Sequence, residues 1–271
     1  MVKLEHLSYS SVNLYLTCSR AWKMRYADKV QTPKSVNLVF GSAAGNAIQN
    51  YVAARAAGGE VGKPVSFWPA AWTEQLEDPR NAQIDYGDET AESMDATGKR
   101  MMSNKDVVAV IDSIKPMTGV PFQTWRGKSA DAMIERKVTL RVPGVPIPII
   151  GYIDITADDG VPIDLKTAKR MWPKDKEHKE LQASFYLAAL NQMGWTLNPE
   201  RKFRYVIITK AKMPRVDDRE TSRTAGELLW LFGLIKDTWE AIQAGAFPPS
   251  GVGSWKCDPR YCDYFSLCRG A

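Results

Sequence analysis

The chain has 271 residues, 44% hydrophobic and 25% charged, with 36 Lys+Arg against 31 Asp+Glu for a formal charge of +5. This balance excludes disordered, collagen-like and coiled-coil chains, and the length supports one large domain or two small ones around a sizeable core. No apolar run approaches the ~20 residues of a membrane-spanning helix, and the start of the chain has no apolar signal region, so no membrane and a cytoplasmic location are expected.

Ser10 or Ser11 can cap a first helix over Val12–Tyr26, and a second runs over Leu38–Ala57 to Gly58-Gly59. Residues 60–125 suggest short helices around Pro69–Leu76 and Glu89–Met101, then a helix or strand at Val107–Ile114, before Pro116, Gly119 and Pro121 break the pattern. From Asp131 the period becomes two, giving a strand over Ala132–Val142. Pro143-Gly144-Val145-Pro146 turns the chain into a strand over Ile147–Thr156. Asp158-Asp159-Gly160 then turns it into a third over Val161–Lys166. An amphipathic helix over Lys176–Met193, a strand over Phe203–Thr209 and a long helix over Glu220–Ala244 complete the chain.

The hairpin carries the most chemistry. Asp154 and Asp164 lie on neighbouring strands, and Asp164 and Lys166, two residues apart, share a face. Two close carboxylates repel one another, and a divalent cation relieves that cost; hard oxygen ligands suit magnesium or manganese, to which the Leu165 carbonyl adds a further donor. A lysine beside such a site can orient water for attack on phosphorus. A bare D-x-K is also compatible with an exposed ion pair worth under about 1 kcal/mol. The four cysteines are uneven: Cys18 stands alone, whereas Cys257, Cys262 and Cys268 fall within twelve residues. In a reducing compartment that cluster reads as a metal site, iron–sulfur or zinc, with buried thiols as the alternative.

Gly151-Tyr152-Ile153-Asp154 followed by Ile163-Asp164-Leu165-Lys166-Thr167 resembles the core of the PD-(D/E)XK nuclease superfamily in its RecB-like exonuclease branch. Gln182-Ala183-Ser184-Phe185-Tyr186 resembles that branch's Q-x-x-x-Y element, and Leu7-Ser8-Tyr9-Ser10-Ser11 its N-terminal segment. The resemblance implies an α/β, restriction-endonuclease-like core of helix, three antiparallel strands, helix and strand in one nuclease domain over residues 1–271, with a helical insertion at 60–125. It implies a metal site of Asp154, Asp164 and Leu165, joined by Glu135 as in some relatives, with Lys166 catalytic and Gln182 and Tyr186 in support. Glu135 also reads as a solvated strand residue, and Tyr186 as core. Cys18, Cys257, Cys262 and Cys268 are similar to the ligands of a [4Fe–4S] cluster in CRISPR-adaptation and AddB-type nucleases, here a clasp between residues 1–28 and 245–271. The first late spacing, x4, departs from the more frequent x2.

The family's helix motif often carries a metal-binding histidine, whereas Gly41-Ser42-Ala43-Ala44-Gly45 has glycine there and the only histidines are His6 and His178. Gly41 and Gly45 suggest close helix–strand packing. Three readings follow: a metal-dependent DNA nuclease, exonuclease in type, acting on single strands or duplex ends beside a helicase or recombination partner; a non-catalytic DNA-binding or scaffolding protein that keeps the fold and cluster; or a zinc-stapled protein unrelated to nucleases. Lys169, Arg170, Lys174, Lys176 and Lys179, then Arg201, Lys202, Arg204, Lys210, Lys212 and Arg215, make basic stretches suited to phosphates, or ordinary solvated surface. Trp68, Trp72, Trp125, Trp172 and Trp195 can stack on bases or fill the core.

Overall fold

A computed structural model describes residues 2–58, 61–115, 117, 133–251 and 253–270. Gly59, Pro116, Gly119, Pro121, Trp125, Asp131 and Ala132 lie outside the described residues.

Strand β1 (Leu7–Ser8) leads into helix α1 (Tyr9–Thr17). The cap is Ser8: its hydroxyl accepts from Ser11 N at 3.1 Å, while Ser8 N donates to Ser11 Oγ at 2.9 Å. The single helix expected to Tyr26 breaks at Cys18, whose extended backbone (φ −160°, ψ 102°) separates α1 from α2 (Ser19–Trp22) and a π-helical turn over Lys23–Ala27. A short β2 (Lys34–Ser35) precedes α3 (Val36–Ala57), capped by Ser35. Helix α4 (Trp68–Glu77), strand β3 (Ile84–Asp85), helix α5 (Ala91–Ser103) and helix α6 (Lys105–Ser113) follow. The ambiguous Val107–Ile114 segment is therefore helical, and Asn104 caps it at Asp106 N and Val107 N.

Strands β4 (Ile134–Leu140), β5 (Ile149–Thr156) and β6 (Pro162–Ala168) come next, then α7 (Lys176–Lys179), α8 (Leu181–Gln192), β7 (Lys202–Thr209), β8 (Val216–Ser222), α9 (Ala225–Gln243) and α10 (Phe265–Arg269). The result is a mixed α/β fold with ten helices among the described residues. The main sheet has the order β1-β5-β6-β7-β8, with β4 on β5; β4–β5–β6 are antiparallel and β7 returns parallel to β6 after α7 and α8.

Two expectations fail in informative ways. Residues 220–222 belong to β8 rather than to the last helix, which begins after the cap residue Thr224. This polar edge strand offers no apolar alternation; it is tied to β7 by Arg204–Asp218 at 2.5 Å and Lys202–Glu220 at 3.5 Å. The helix expected over Lys176–Met193 breaks at Glu180 (ψ 121°), and α8 is buried continuously from Gln182 to Leu190 rather than on one side.

The sheet carries a hydrophobic cluster on each face. Phe40, Ile48, Trp68, Met101 and Ile111 of the helical layer cover Ile163, Val206 and Ile208, while Trp22, Phe185, Leu231 and Ile235 cover Phe203, Tyr205 and Ile207. Successive β7 residues thus enter opposite clusters, which is why that strand reads as an unbroken apolar run. Strand β5 pairs with β6 only at Ile155↔Ile163 and Thr156↔Pro162, and its earlier residues Ile149 and Ile150 pair with β1 instead. The two strands therefore fork where the hairpin register brings Asp154 opposite Asp164.

Candidate active site

The fork opens into a cleft of about 580 Å³ lined by Gly45 and Gln49 of α3, Glu135, Asp154, Asp164 to Thr167, and Gln182 and Tyr186 of α8. Asp164 is 3% exposed. Its Oδ1 accepts from Gln182 Nε2 at 2.5 Å. Its Oδ2 pairs with the Lys166 ammonium at 2.6 Å. Asp154 Oδ2 accepts from Leu165 N at 2.7 Å, bridging the fork.

Burial pushes the Asp154 carboxyl well above its usual range, and the charge of Asp164 adds to the shift, against the pull of Lys166. Burial also raises Asp164, although Lys166 and Gln182 oppose it. Burial alone lowers Lys166, but the Asp164 and Asp154 charges outweigh it and hold the ammonium above its usual pKa. Two enclosed carboxylates that resist ionisation form an oxygen donor set that a divalent cation satisfies. The residues present fit magnesium or manganese.

Glu135 stands opposite Asp154, between the paired positions Ile134↔Ile155 and Arg136↔Ile153, with a left-handed φ of 52°. It is half-buried in the cleft, not a solvated strand residue. Gln49 Nε2 ties the two strands together, donating to Glu135 Oε1 at 3.1 Å and to the Asp154 carbonyl at 3.3 Å. Tyr186 is buried in the core, 7% exposed, and its hydroxyl donates to the Tyr152 carbonyl at 2.7 Å. Gly151 is required beside it, because a Cβ there would lie 2.6 Å from Tyr186 Cε1.

The glycine pair on α3 divides. Close packing holds at Gly41, where a Cβ would meet Thr167 Oγ1 at 3.3 Å, but a Cβ at Gly45 meets nothing within 4 Å. Position 45 opens into the cleft and is no packing glycine.

Three site residues carry no strong local signal. Gln49 follows Gly45 by one helical turn, which could have flagged it. Tyr9 OH donates to Glu180 Oε2 at 3.4 Å, and the Glu180 charge acts on both Asp164 and Lys166. Tyr9 lies inside the Leu7–Ser11 motif; Glu180, at a helix break, had no sequence signal.

Among the tryptophans named as stacking candidates, Trp68 and Trp72 are buried, and Trp172 and Trp195 pack against the core. The basic stretches are partly neutralised by acids, as in Arg204–Asp218, Lys202–Glu200 and Lys176–Glu180. A separate group, Asp175, Glu177 and His178, holds its ligand atoms within 4.8 Å of one another. Glu177 is already paired with Arg219 at 2.8 Å, and His178 Nδ1 with Thr221 Oγ1 at 2.9 Å, so this group is not assigned a cation.

Cys18, Cys257, Cys262 and Cys268 line one cavity of about 90 Å³. Cys18 Sγ accepts from Ser250 N at 3.4 Å, and Cys257 Sγ from Arg269 Nη2 at 3.2 Å. Burial raises the Cys18 thiol, but hydrogen bonds from the Ser250 side chain and from backbone donors outweigh it and set the pKa below its usual value; burial raises Cys262, with the charge of Cys18 adding to it against a Tyr264 backbone bond. The two segments meet independently of any ligand: Tyr15 OH donates to Ala246 O at 2.5 Å, Ser19 Oγ to Pro248 O at 2.6 Å, and Trp22 stacks on Phe247 at 5.7 Å. The four thiols line this cavity, but no three of their sulfurs lie within 4.8 Å of one another.

Fold and site together define a mixed α/β protein with a carboxylate–lysine centre at a strand fork. The chain belongs to the PD-(D/E)XK nuclease superfamily, whose family model matches residues 6–269. Nucleases of this superfamily typically use magnesium or manganese. No curated protein matches the chain in sequence. A crystal structure from Eubacterium rectale, described as a candidate exonuclease, superposes with a TM-score of 0.53 at 13% identity, covering 95% of this chain and 87% of that one. At that identity it supports the fold alone. A second structure, SSO0001, covers 50% of this chain and 58% of its own at 22% identity and a TM-score of 0.34, too low to carry an argument. No helix among the described residues is long and apolar enough to cross a membrane.

Proposed function

We propose that the protein is a metal-dependent deoxyribonuclease of the RecB-like branch, exonuclease in type, acting as one nuclease domain. The observation that carries this is the fork, where Asp154 and Asp164 face each other and Asp164 pairs with Lys166 at 2.6 Å. Asp154, Asp164, Glu135 and the Leu165 carbonyl hold magnesium or manganese, which when bound polarises the scissile phosphate and acidifies water. Lys166 orients the attacking water and offsets the charge that develops on the phosphoryl oxygens. Gln182 fixes the Asp164 carboxylate, Tyr186 anchors β5 through Tyr152, and Gln49 steadies Glu135 and Asp154.

The cysteines hold a [4Fe–4S] cluster that clasps the segments around Cys18 and Cys257–Cys268; zinc is the competing occupant. An anaerobically purified brown protein with equimolar iron and sulfide decides for the cluster, and a colourless zinc protein decides against it. The partners are DNA and a helicase or recombination protein.

The decisive assay uses end-labelled single- and double-stranded DNA with and without Mn²⁺. Asp164→Ala and Lys166→Ala should remove metal-dependent cleavage while the circular dichroism spectrum is retained. Wild-type cleavage by both variants overturns the reading. The open space at Gly45 favours one second reading, a DNA-binding relative without activity; salt-sensitive binding that leaves DNA intact with either metal would establish it.

A further inference from the structure

We infer that the surface beside the cysteine cavity is a second nucleic-acid site, outside the cleft, that stacks the unpaired bases of a single strand. Trp255 is 66% exposed and Tyr261 54%, more open than Trp68, Trp72, Trp172 and Trp195. Their rings meet edge to face at 5.6 Å, which braces each against the other. Lys256 Nζ sits 4.6 Å from the Trp255 ring centre, and Arg260 Cζ sits 5.5 Å from that of Tyr261. Arg260 is also paired with Asp258 at 2.9 Å, so the charge beside these rings that is offered to phosphate is that of Lys256.

Residues 253–270 bury one large side chain, Tyr264, and otherwise have little core of their own. A segment with so little interior gains nothing in folding from two large aromatics left in water. Two exposed rings with a lysine beside them match the requirements of single-strand binding, a π-face for bases and a positive charge for phosphate. Duplex DNA offers only its backbone here, because its bases already stack on one another.

The cationic surface extends beyond the tail. Arg25 lines the cysteine cavity and also a neighbouring cavity of about 590 Å³ that Lys3 and Lys29 share. Ser8 and Ser11 line that second cavity, and Tyr9 between them reaches Glu180 at the edge of the catalytic centre. A strand held at Trp255 therefore has a basic path towards β1 and the fork. The biological sense of this path rests on the nuclease reading; the binding does not.

The test uses full-length protein carrying Lys166→Ala, so that DNA stays intact, with fluorescence anisotropy of labelled oligothymidine and of a duplex of equal length across a KCl series. Trp255→Ala with Tyr261→Ala should weaken oligothymidine binding by tenfold or more and leave duplex binding within about twofold, since each stacked base contributes appreciably to affinity. Arg25→Ala with Lys256→Ala leaves both rings in place and should flatten the salt slope by about 1.4, at about 0.7 per phosphate contact. This second pair keeps the test open should the ring variants fail to fold, as judged by their melting curves. Unchanged single-strand affinity and salt slope, or equal losses for single strand and duplex, overturn the inference, as does a ring pair that responds only to a protein partner. Cleavage by the Lys166-containing protein is scored separately. Wild-type cleavage with unaltered binding in these variants removes the stacking site alone, and absent cleavage with the expected binding pattern removes the nuclease reading alone.

Discussion

Gly151→Ala probes how β5 holds Asp154. A Cβ at position 151 would lie 2.6 Å from Tyr186 Cε1 and 3.3 Å from Phe185 Cε1. Carbon atoms rest about 3.5–4.0 Å apart, so the ring or the strand must shift by about 1 Å. Tyr186 has little room to give: it stacks on Phe203 at 5.9 Å with an 11° interplanar angle, and its hydroxyl is held by the Tyr152 carbonyl at 2.7 Å. Overpacking of this kind costs about 1–3 kcal/mol, and losing the hydroxyl bond adds about 1 kcal/mol. A total near 3 kcal/mol lowers the melting temperature by roughly 6–12 °C in a chain of this size. Because the displaced strand carries Asp154 three residues on, kcat/KM should fall by about 10²-fold, the cost of a shift of about 1 Å at reacting groups. Calorimetric melting and a metal-dependent cleavage assay read the two effects. Tyr186→Phe, which removes the hydroxyl without adding a methyl, should cost only about 1 kcal/mol. A Gly151→Ala protein with unchanged melting temperature and kcat/KM would refute the argument.

The carboxylate pair sets a stability trend with pH. Asp154 and Asp164 have folded-state pKa values above the usual 3.8, so the folded protein holds protons that the unfolded chain has released. Their contribution is complete below about pH 4 and is lost as pH rises through the folded values. In chelator at neutral pH, Asp164→Asn should therefore melt higher than wild type, with the gap closing on acidification, and should lose the stabilisation that Mg²⁺ gives the wild type; a lower melting temperature refutes this. Gln49→Ala should raise the Mn²⁺ concentration for half-maximal thermal stabilisation by about tenfold or more, as for residues that orient metal ligands; calorimetric titration with an unchanged midpoint would dismiss the role. Gly45→Ala fills open space inside α3 and should stabilise by up to about 1 kcal/mol; a fall in melting temperature would restore the packing explanation.

The hairpin was legible because three local signals agree there: alternation along β4 and β5, the Asp158-Asp159-Gly160 turn, and the Asp164–Lys166 spacing. Strand β8 was not, because an edge strand of mostly polar residues resembles a solvated loop or helix start in sequence. The break at Cys18 was hidden by the helix-compatible residues on either side; its extended backbone accompanies the packing of residues 15–22 against 246–250. Glu180 acts through tertiary contacts with Tyr9, Asp164 and Lys166, distant in sequence, which no local pattern encodes, and Gln49 was marked only by its one-turn spacing from Gly45. The tryptophans failed for a related reason. Indole chemistry is the same at every position, and only tertiary packing decides that Trp68 is buried while Trp255 faces water.

The stitching of residues 15–22 to residues 246–250 also orders events in time. Tyr15 meets its acceptor 231 residues further along the chain, and Ser19 meets its own after 229. At about 5–20 residues per second on the ribosome, the first segment waits roughly 10–50 s for its cover. Throughout that interval Trp22, fully enclosed in the finished protein, lacks Phe247 on its face. The helices around Cys18 thus reach their final packing only after residues 246–250 have emerged, and until then the nascent chain carries an adhesive aromatic surface.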